Sequence, residues 1–179
     1  MKTYSLYTDG AISNNGDKNG TGIMEGGIGW LLLDENGEDI AYGRGFYPST
    51  LPPEEPVTNN RMELSAYIEA MINIEGHNLH PAKDVRLVVY SDSAYFINSI
   101  NEYIKKWQVN GWRNNAGQPI KNKDLWLQIL RWRNDKSMFR EVRFVHVKGH
   151  NGHKHQERVD KLAVASKKDR DSIVTLAKV

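Results

Sequence analysis

The chain has 179 residues, 39% of them apolar and 26% charged, with no cysteine and a formal charge of +2. A chain of this length is expected to make one domain around one core, and the lack of cysteine excludes disulfides, thiolate metal sites and cysteine nucleophiles. The opening "MKTYSLYTDG" has no apolar signal segment, and no run reaches the roughly 18 apolar residues of a membrane span, so a cytoplasmic protein without a membrane partner is expected. The charge is uneven. Residues 1–60 hold nine Asp/Glu against three Lys/Arg, which leaves +8 on the remainder.

"TYSLYT" (3–8) reads as a first strand, and residues 26–46 as two more joined through Asn36-Gly37, a hairpin turn pair. In "NRMELSAYIEAMINI" (60–74), Leu64, Ile68, Met71 and Ile72 recur at helical spacing, with Gly76 as the stop. "DVRLVVYSDS" (84–93) is nearly continuously apolar, the pattern of a strand buried on both faces. Helices are predicted around 94–106 and 122–134, a strand at 141–147 and a last helix at about 156–168. Three strands, a helix and then strands separated by helices describe an α/β layer with a mixed sheet.

Four acids stand out by position: Asp9 at the end of the first strand, Glu63 in the first turn of the first helix, Asp92 just past the buried strand, and Asp160 on the last helix. Each has a purely structural explanation. Asp9-Gly10 can be a turn pair, residues 60–63 match a capping box, Asp92 can cap the helix that follows, and Asp160 can be a solvated flank. Yet Asp9 and Asp92 both end strands, at the edge of an α/β sheet where ligands bind. If the helices carrying Glu63 and Asp160 pack over that edge, four carboxylates converge. Two like charges about 4 Å apart repel by about 4 kcal/mol at an effective dielectric near 20, so such a cluster calls for a divalent cation. All-oxygen ligation selects Mg²⁺ or Mn²⁺, and a pair of such ions suits phosphodiester displacement.

Residues 103–133 contain seven Lys/Arg and one acid, interleaved with Trp107, Trp112, Trp126 and Trp132, the footprint of a polyanion-binding surface. Trp126 and Trp132 fall at helical spacing with Leu125, Ile129 and Leu130 and are read as core. The four histidines of "HVKGHNGHKH" (146–155) suggest a metal site, but neither the His-Glu-x-x-His helix pattern nor a cysteine partner accompanies them, so zinc is the weaker reading. His153 and His155 read as solvated surface, and His146 as a core or edge residue of its strand.

"YTDGA" around Asp9, "TNNRMEL" (58–64), "YSDS" (90–93) and "VKGHNGHKHQERVDKLA" (147–163) together resemble type 1 ribonuclease H, in that family's order and spacing. The resemblance covers residues 3 to about 168 of a single catalytic domain spanning 1–179, with a C-terminal tail at 169–179. It implies an α/β, ribonuclease H-like fold, a five-stranded mixed sheet of order 3-2-1-4-5 flanked by helices. The implied activity is endonucleolytic cleavage of the RNA strand of RNA–DNA hybrids. It would use two Mg²⁺, with Mn²⁺ as substitute, and leave 5'-phosphate and 3'-hydroxyl ends. Asp9, Glu63, Asp92 and Asp160 would hold the metals. His150, on a loop between Gly149 and Gly152, would assist proton transfer or product release.

The resemblance further implies that Asn59 and Asn60, with Asn14 or Asn15, contact the substrate. The segment 103–126 resembles the family's basic protrusion, where Lys105, Lys106, Arg113 and Lys121 would meet phosphates and Trp107 or Trp112 would pack on sugars. Phosphate contacts carry no sequence information, so cleavage is expected to be largely sequence-independent, by a monomer. The chain departs from its relatives at Ala94, where some carry glutamine, and at Gln156, where asparagine is common; these bear on substrate contacts. A nucleic-acid-binding module without catalysis, and a related nuclease acting on DNA, are the alternatives.

Overall fold

The computed structural model describes residues 1–13, 24–50, 54–81, 84–148 and 153–178. In chain order the elements are β1 (Lys2–Ser13), β2 (Glu25–Leu33), β3 (Asp39–Tyr47), α1 (Asn59–Gly76), β4 (Val85–Ser91), α2 (Ala94–Asn98), a π-helical stretch (Ser99–Tyr103), α3 (Ile104–Val109), α4 (Lys123–Asn134), β5 (Glu141–His146), α5 (Lys154–Asp169) and β6 (Ile173–Leu176). They form one sheet in the order β5-β4-β1-β2-β3-β6. β1, β2 and β3 are antiparallel neighbours, while β4 and β5 enter parallel to β1 through helical crossovers.

Strand alternation divides the interior into two layers. Leu6 and Leu32, paired across β1 and β2, face α1 in the main core with Leu64, Met71, Phe96 and Trp126. The next pair, Tyr7 and Leu31, faces the other way and packs with Leu33, Val159 and Leu162 under α5. Because α5 rests on β1, β2 and β3, the far side of β4 is only partly covered. Val85, Leu87, Val89 and Ser91 are buried while Arg86, Val88 and Tyr90 are half-exposed, so β4 is not the doubly buried strand its apolar run suggested.

The mixed sheet and its 3-2-1-4-5 order are as expected, but the sheet has six strands rather than five. Residues of the supposed tail form β6, which pairs antiparallel with β3 from Ala41↔Leu176 to Arg44↔Ile173. Ion pairs reinforce it: Arg44 meets Asp171 at 2.7 Å, and Lys178 bonds Asp34. Val174 and Leu176 pack against the main core. Half-burying two such side chains contributes about 2 kcal/mol, and a part-exposed ion pair adds at most about 1 kcal/mol. Truncation after Asp171 is therefore expected to cost about 2–3 kcal/mol and to lower Tm by about 4–12 °C. Calorimetry of the shortened chain checks this; an unchanged Tm would show that β6 contributes nothing.

No helix among the described residues is long and apolar enough to cross a membrane.

Candidate active site

Two glycines set the geometry of the sheet edge where Asp9 stands. A Cβ at Gly10 would lie 2.6 Å from the Met62 carbonyl carbon and 2.7 Å from the Glu63 nitrogen, so only glycine lets the α1 backbone cross β1 there. The crossing brings Glu63 Oε1 to the Gly10 amide, which donates to it at 3.0 Å. Gly29 is the β2 partner of Asp9. A Cβ on it would strike the Val159 carbonyl oxygen and stand 2.8 Å from Leu162 Cβ. Its bareness lets α5 lie close to the sheet, and Asp160 follows Val159.

Asp92 comes from the loop after β4, which pairs in parallel with β1 up to Tyr7↔Tyr90. Oxygens of Asp9, Glu63 and Asp92 lie within 4.8 Å of one another. Asp160 stands outside this closest group but beside it, and all four acids line one open pocket of about 400 Å³ together with Gly10, Asn59, Asn60, Ser93, Ala94 and Tyr95. The predicted convergence of carboxylates is thus present in the fold. The capping explanations for Glu63 and Asp92 do not hold. The α1 cap is Thr58, whose hydroxyl accepts from the Arg61 amide at 3.2 Å, not Asn59 or Asn60. Glu63 turns toward β1 instead of closing a capping box. Ser93, not Asp92, caps α2 by accepting from the Phe96 amide at 3.1 Å.

Asp9 and Glu63 are 3% and 4% exposed, which makes their charge costly. Burial, then the neighbouring Glu63 and Asp92 carboxylates, push Asp9 up to about 11. Burial and Asp92 push Glu63 up to about 7, against the bonds from Gly10 and Ser91 that favour its anion. No Lys or Arg is among the described residues lining the pocket. A crowded, all-oxygen donor set fits a hard divalent cation.

The histidines do not assemble into a comparable group among the described residues. His146 bonds through Nε2 to the Asp92 carbonyl at 3.1 Å, and so braces the loop that carries an acid. His153 is exposed at the N-terminal boundary of α5. His155 is half-buried with its ring 5.1 Å from that of Tyr7, rather than solvated. His150, Gly149, Gly152, Asn14 and Asn15 lie outside the described residues.

Asn59 and Asn60 are exposed on the rim of the carboxylate pocket. The basic candidates form a separate group. Lys105 and Lys106 are exposed on α3, and Arg113 and Lys121 are exposed on the connection to α4. Trp107 and Trp112 are half-buried, their rings 6.4 Å apart, and Trp107 lies 5.8 Å from the fully buried Trp126. They therefore anchor the protrusion to the core instead of standing free. Arg61 fastens its base by two bonds of 2.9 and 2.8 Å to Asp124. One residue of this neighbourhood escaped the reading of the sequence: Tyr95, whose hydroxyl accepts from Asn122 and Trp126. Gln156, read as bearing on substrate contacts, is instead fully buried against the Thr8 carbonyl of β1.

Comparison with known proteins places this arrangement. The RNase H family model matches residues 1–168. The ribonuclease H of Syntrophomonas wolfei subsp. wolfei is 38% identical over 166 residues, covering 91% of this chain and 94% of the relative. Among solved structures, LC9-RNase H1, described as a type 1 RNase H with the type 2 active-site motif, superposes with a TM-score of 0.73 at 26% identity, over 99% of this chain and 78% of the other. LC11-RNase H1, solved in complex with an RNA/DNA hybrid, shares the fold with a TM-score of 0.64 at 19% identity, over 93% of this chain and 98% of the other. Matched along nearly its whole length and at this identity, the chain belongs to the ribonuclease H family and is a nuclease.

Proposed function

We propose that this protein cleaves the RNA strand of RNA–DNA hybrids endonucleolytically, leaving 5'-phosphate and 3'-hydroxyl ends with little regard for sequence. The observation that carries the reading is the meeting of Asp9, Glu63 and Asp92 within 4.8 Å, with Asp160 beside them, in a chain of this family. Asp9, Glu63, Asp92 and Asp160 hold two divalent cations, Mg²⁺ or in its place Mn²⁺. When bound, these ions supply the positive charge that the attacking and leaving oxygens of an in-line displacement require.

The chain's own groups do the rest. A water molecule gives up a proton as its oxygen attacks phosphorus, the bond from phosphorus to the 3'-oxygen breaks, and that oxygen takes up a proton to become the 3'-hydroxyl. His150 sits in the sequence between β5 and Asp160 and, as an imidazole, is the kind of side chain suited to handling protons at neutral pH. Asn59 and Asn60, exposed at the pocket rim, present short donors and acceptors suited to 2'-hydroxyls in a wide minor groove, which distinguish RNA from DNA. Lys105, Lys106, Arg113 and Lys121 bind phosphates and add affinity without sequence choice. Trp107 and Trp112 present their uncovered edges to sugars, and Asn15, outside the described residues, contacts the substrate. The protein acts as a cytoplasmic monomer.

The test is cleavage of end-labelled RNA–DNA hybrid, DNA duplex and RNA duplex in Mg²⁺ and in Mn²⁺. Internal cuts confined to the RNA strand of the hybrid are expected. Cutting of the DNA duplex, or tight binding of hybrid without cleavage in either metal, would overturn the reading.

A further inference from the structure

Gln156 lies in the first turn of α5 and is fully buried, an unusual place for a primary amide. Its Nε2 donates to the Thr8 carbonyl at 3.1 Å across 148 positions of sequence. Thr8 immediately precedes Asp9, and the β1–β4 ladder has just ended at Tyr7↔Tyr90. Gln156 thus grips the β1 backbone where it leaves its β4 partner and turns Asp9 into the pocket. At the other end of the grip stands Asp160, four residues along α5 and so on the same helix face.

The start of α5 is also held by His155, whose ring lies 5.1 Å from that of Tyr7, and by Arg158, which bonds Asp39 at 2.9 and 2.7 Å, but neither contact grips the β1 backbone. The His153 side chain makes no capping hydrogen bond. The close contact at Gly29 sets how near α5 comes to the sheet, while the amide of Gln156 bonds the first turn of α5 directly to the β1 backbone beside Asp9. Gln156 Oε1 has no partner among the described residues, so the bond to Thr8 is the polar interaction that orients this side chain.

We propose that Gln156 is a positioning residue for the carboxylate cluster: its amide ties the helix that carries Asp160 to the backbone that carries Asp9, and so fixes the distance between the two acids. Its consequence for metal affinity rests on the reading that these acids hold divalent cations; the tie itself does not. Groups that orient metal ligands typically change metal affinity by 10–100-fold when removed. Asparagine, one methylene shorter, would leave the gap to the Thr8 carbonyl open unless α5 moved inward.

The experiment compares the wild type with Gln156→Leu, Gln156→Glu and Gln156→Asn. One measurement is the Kd for Mg²⁺ by calorimetry; the other is amide hydrogen exchange of residues 8–10 in metal-free protein. Leu, which lacks the donor, and Glu, which lacks it while ionised, are expected to weaken Mg²⁺ binding about 10-fold or more and to speed exchange at residues 8–10, with the far ends of α1 and α5 unchanged. Asn, which keeps an amide on a shorter arm, is expected to recover part of both. Wild-type Mg²⁺ affinity and wild-type exchange at residues 8–10 in the Leu variant, even with a lower Tm, would reduce Gln156 to packing and overturn the proposal. Should Leu and Glu fail to fold, the Asn variant alone decides by the same two readouts. Mg²⁺ binding absent from the wild type itself would sink the metal reading, and the exchange data would still judge the tie.

Discussion

The Asp9→Asn variant is expected to lose about 10³-fold or more of cleavage activity and yet, in EDTA at neutral pH, to melt about 3–6 °C above the wild type. Both effects come from the same carboxylate. Asp9 is 3% exposed beside Glu63, Asp92 and Asp160, so its anion is opposed first by burial and then by its neighbours. Its folded-state pKa of about 11 stands far above the ordinary 3.8. A group raised on folding contributes stability below its unfolded pKa and loses that contribution as pH rises toward the folded value. Metal-free wild type therefore weakens from about pH 4 upward, with Glu63 adding its own loss as pH rises toward about 7. Asn removes the first loss while keeping the shape of the side chain. The gain in Tm over wild type should be small near pH 4 and grow with pH.

Magnesium reverses the order. A ligand bound only by the native state stabilises it by about 2.7 kcal/mol at a hundredfold excess over Kd, and the wild type gains this while the variant, short of one carboxylate, gains less. Calorimetry with and without Mg²⁺, beside a cleavage assay, checks all three statements. Retained activity would remove Asp9 from the metal site; an unchanged or lower Tm in EDTA would mean that its burial is not strained. The family's function is here carried at a cost in stability, as expected where like charges are gathered for chemistry.

The carboxylate site was legible in the sequence because its parts sit at strand ends and first turns, where short motifs mark them. What brings them together was not. Gly10 and Gly29 matter through backbone atoms of Met62 and Val159 that lie 52 and 130 residues further along the chain, and no local pattern encodes such a contact. Capping was misread for a different reason. Thr58, Asn59, Asn60, Asp92 and Ser93 are all competent cap residues, and the choice between neighbours depends on which lies in extended backbone; Thr58 and Ser93 do. β6 escaped because four residues are too few to show a period, and its existence depends on an edge of β3 left free by the rest of the sheet. Trp126 was read correctly as core because its helix repeats apolar residues over several turns. Trp107 was harder, since the π-helical Ser99–Tyr103 precedes it and shifts the phase of everything that follows.

That shift also decides which way the basic side chains of α3 point, and with them the last large effect. Replacing Lys105, Lys106, Arg113 and Lys121 together by Gln is expected to weaken hybrid binding about 10²–10³-fold near physiological salt, leave kcat within about twofold, and reduce the salt-dependence slope by about three to four. Each cation that neutralises a phosphate releases about 0.9 counterion, so four contacts account for about three decades at this ionic strength. All four residues are exposed, and their carrier is rigid: Trp107 leans on Trp126, Lys123 lies 5.9 Å over the Trp112 ring, and Arg61 pins the start of α4. The charges can therefore be removed without loosening the platform, and none of the four lines the carboxylate pocket. Titrations at several salt concentrations measure the slope directly. A slope equal to that of the wild type would mean that the duplex does not cross this surface, and a collapse of kcat at unchanged affinity would mean that the protrusion shapes the active site instead of holding the substrate.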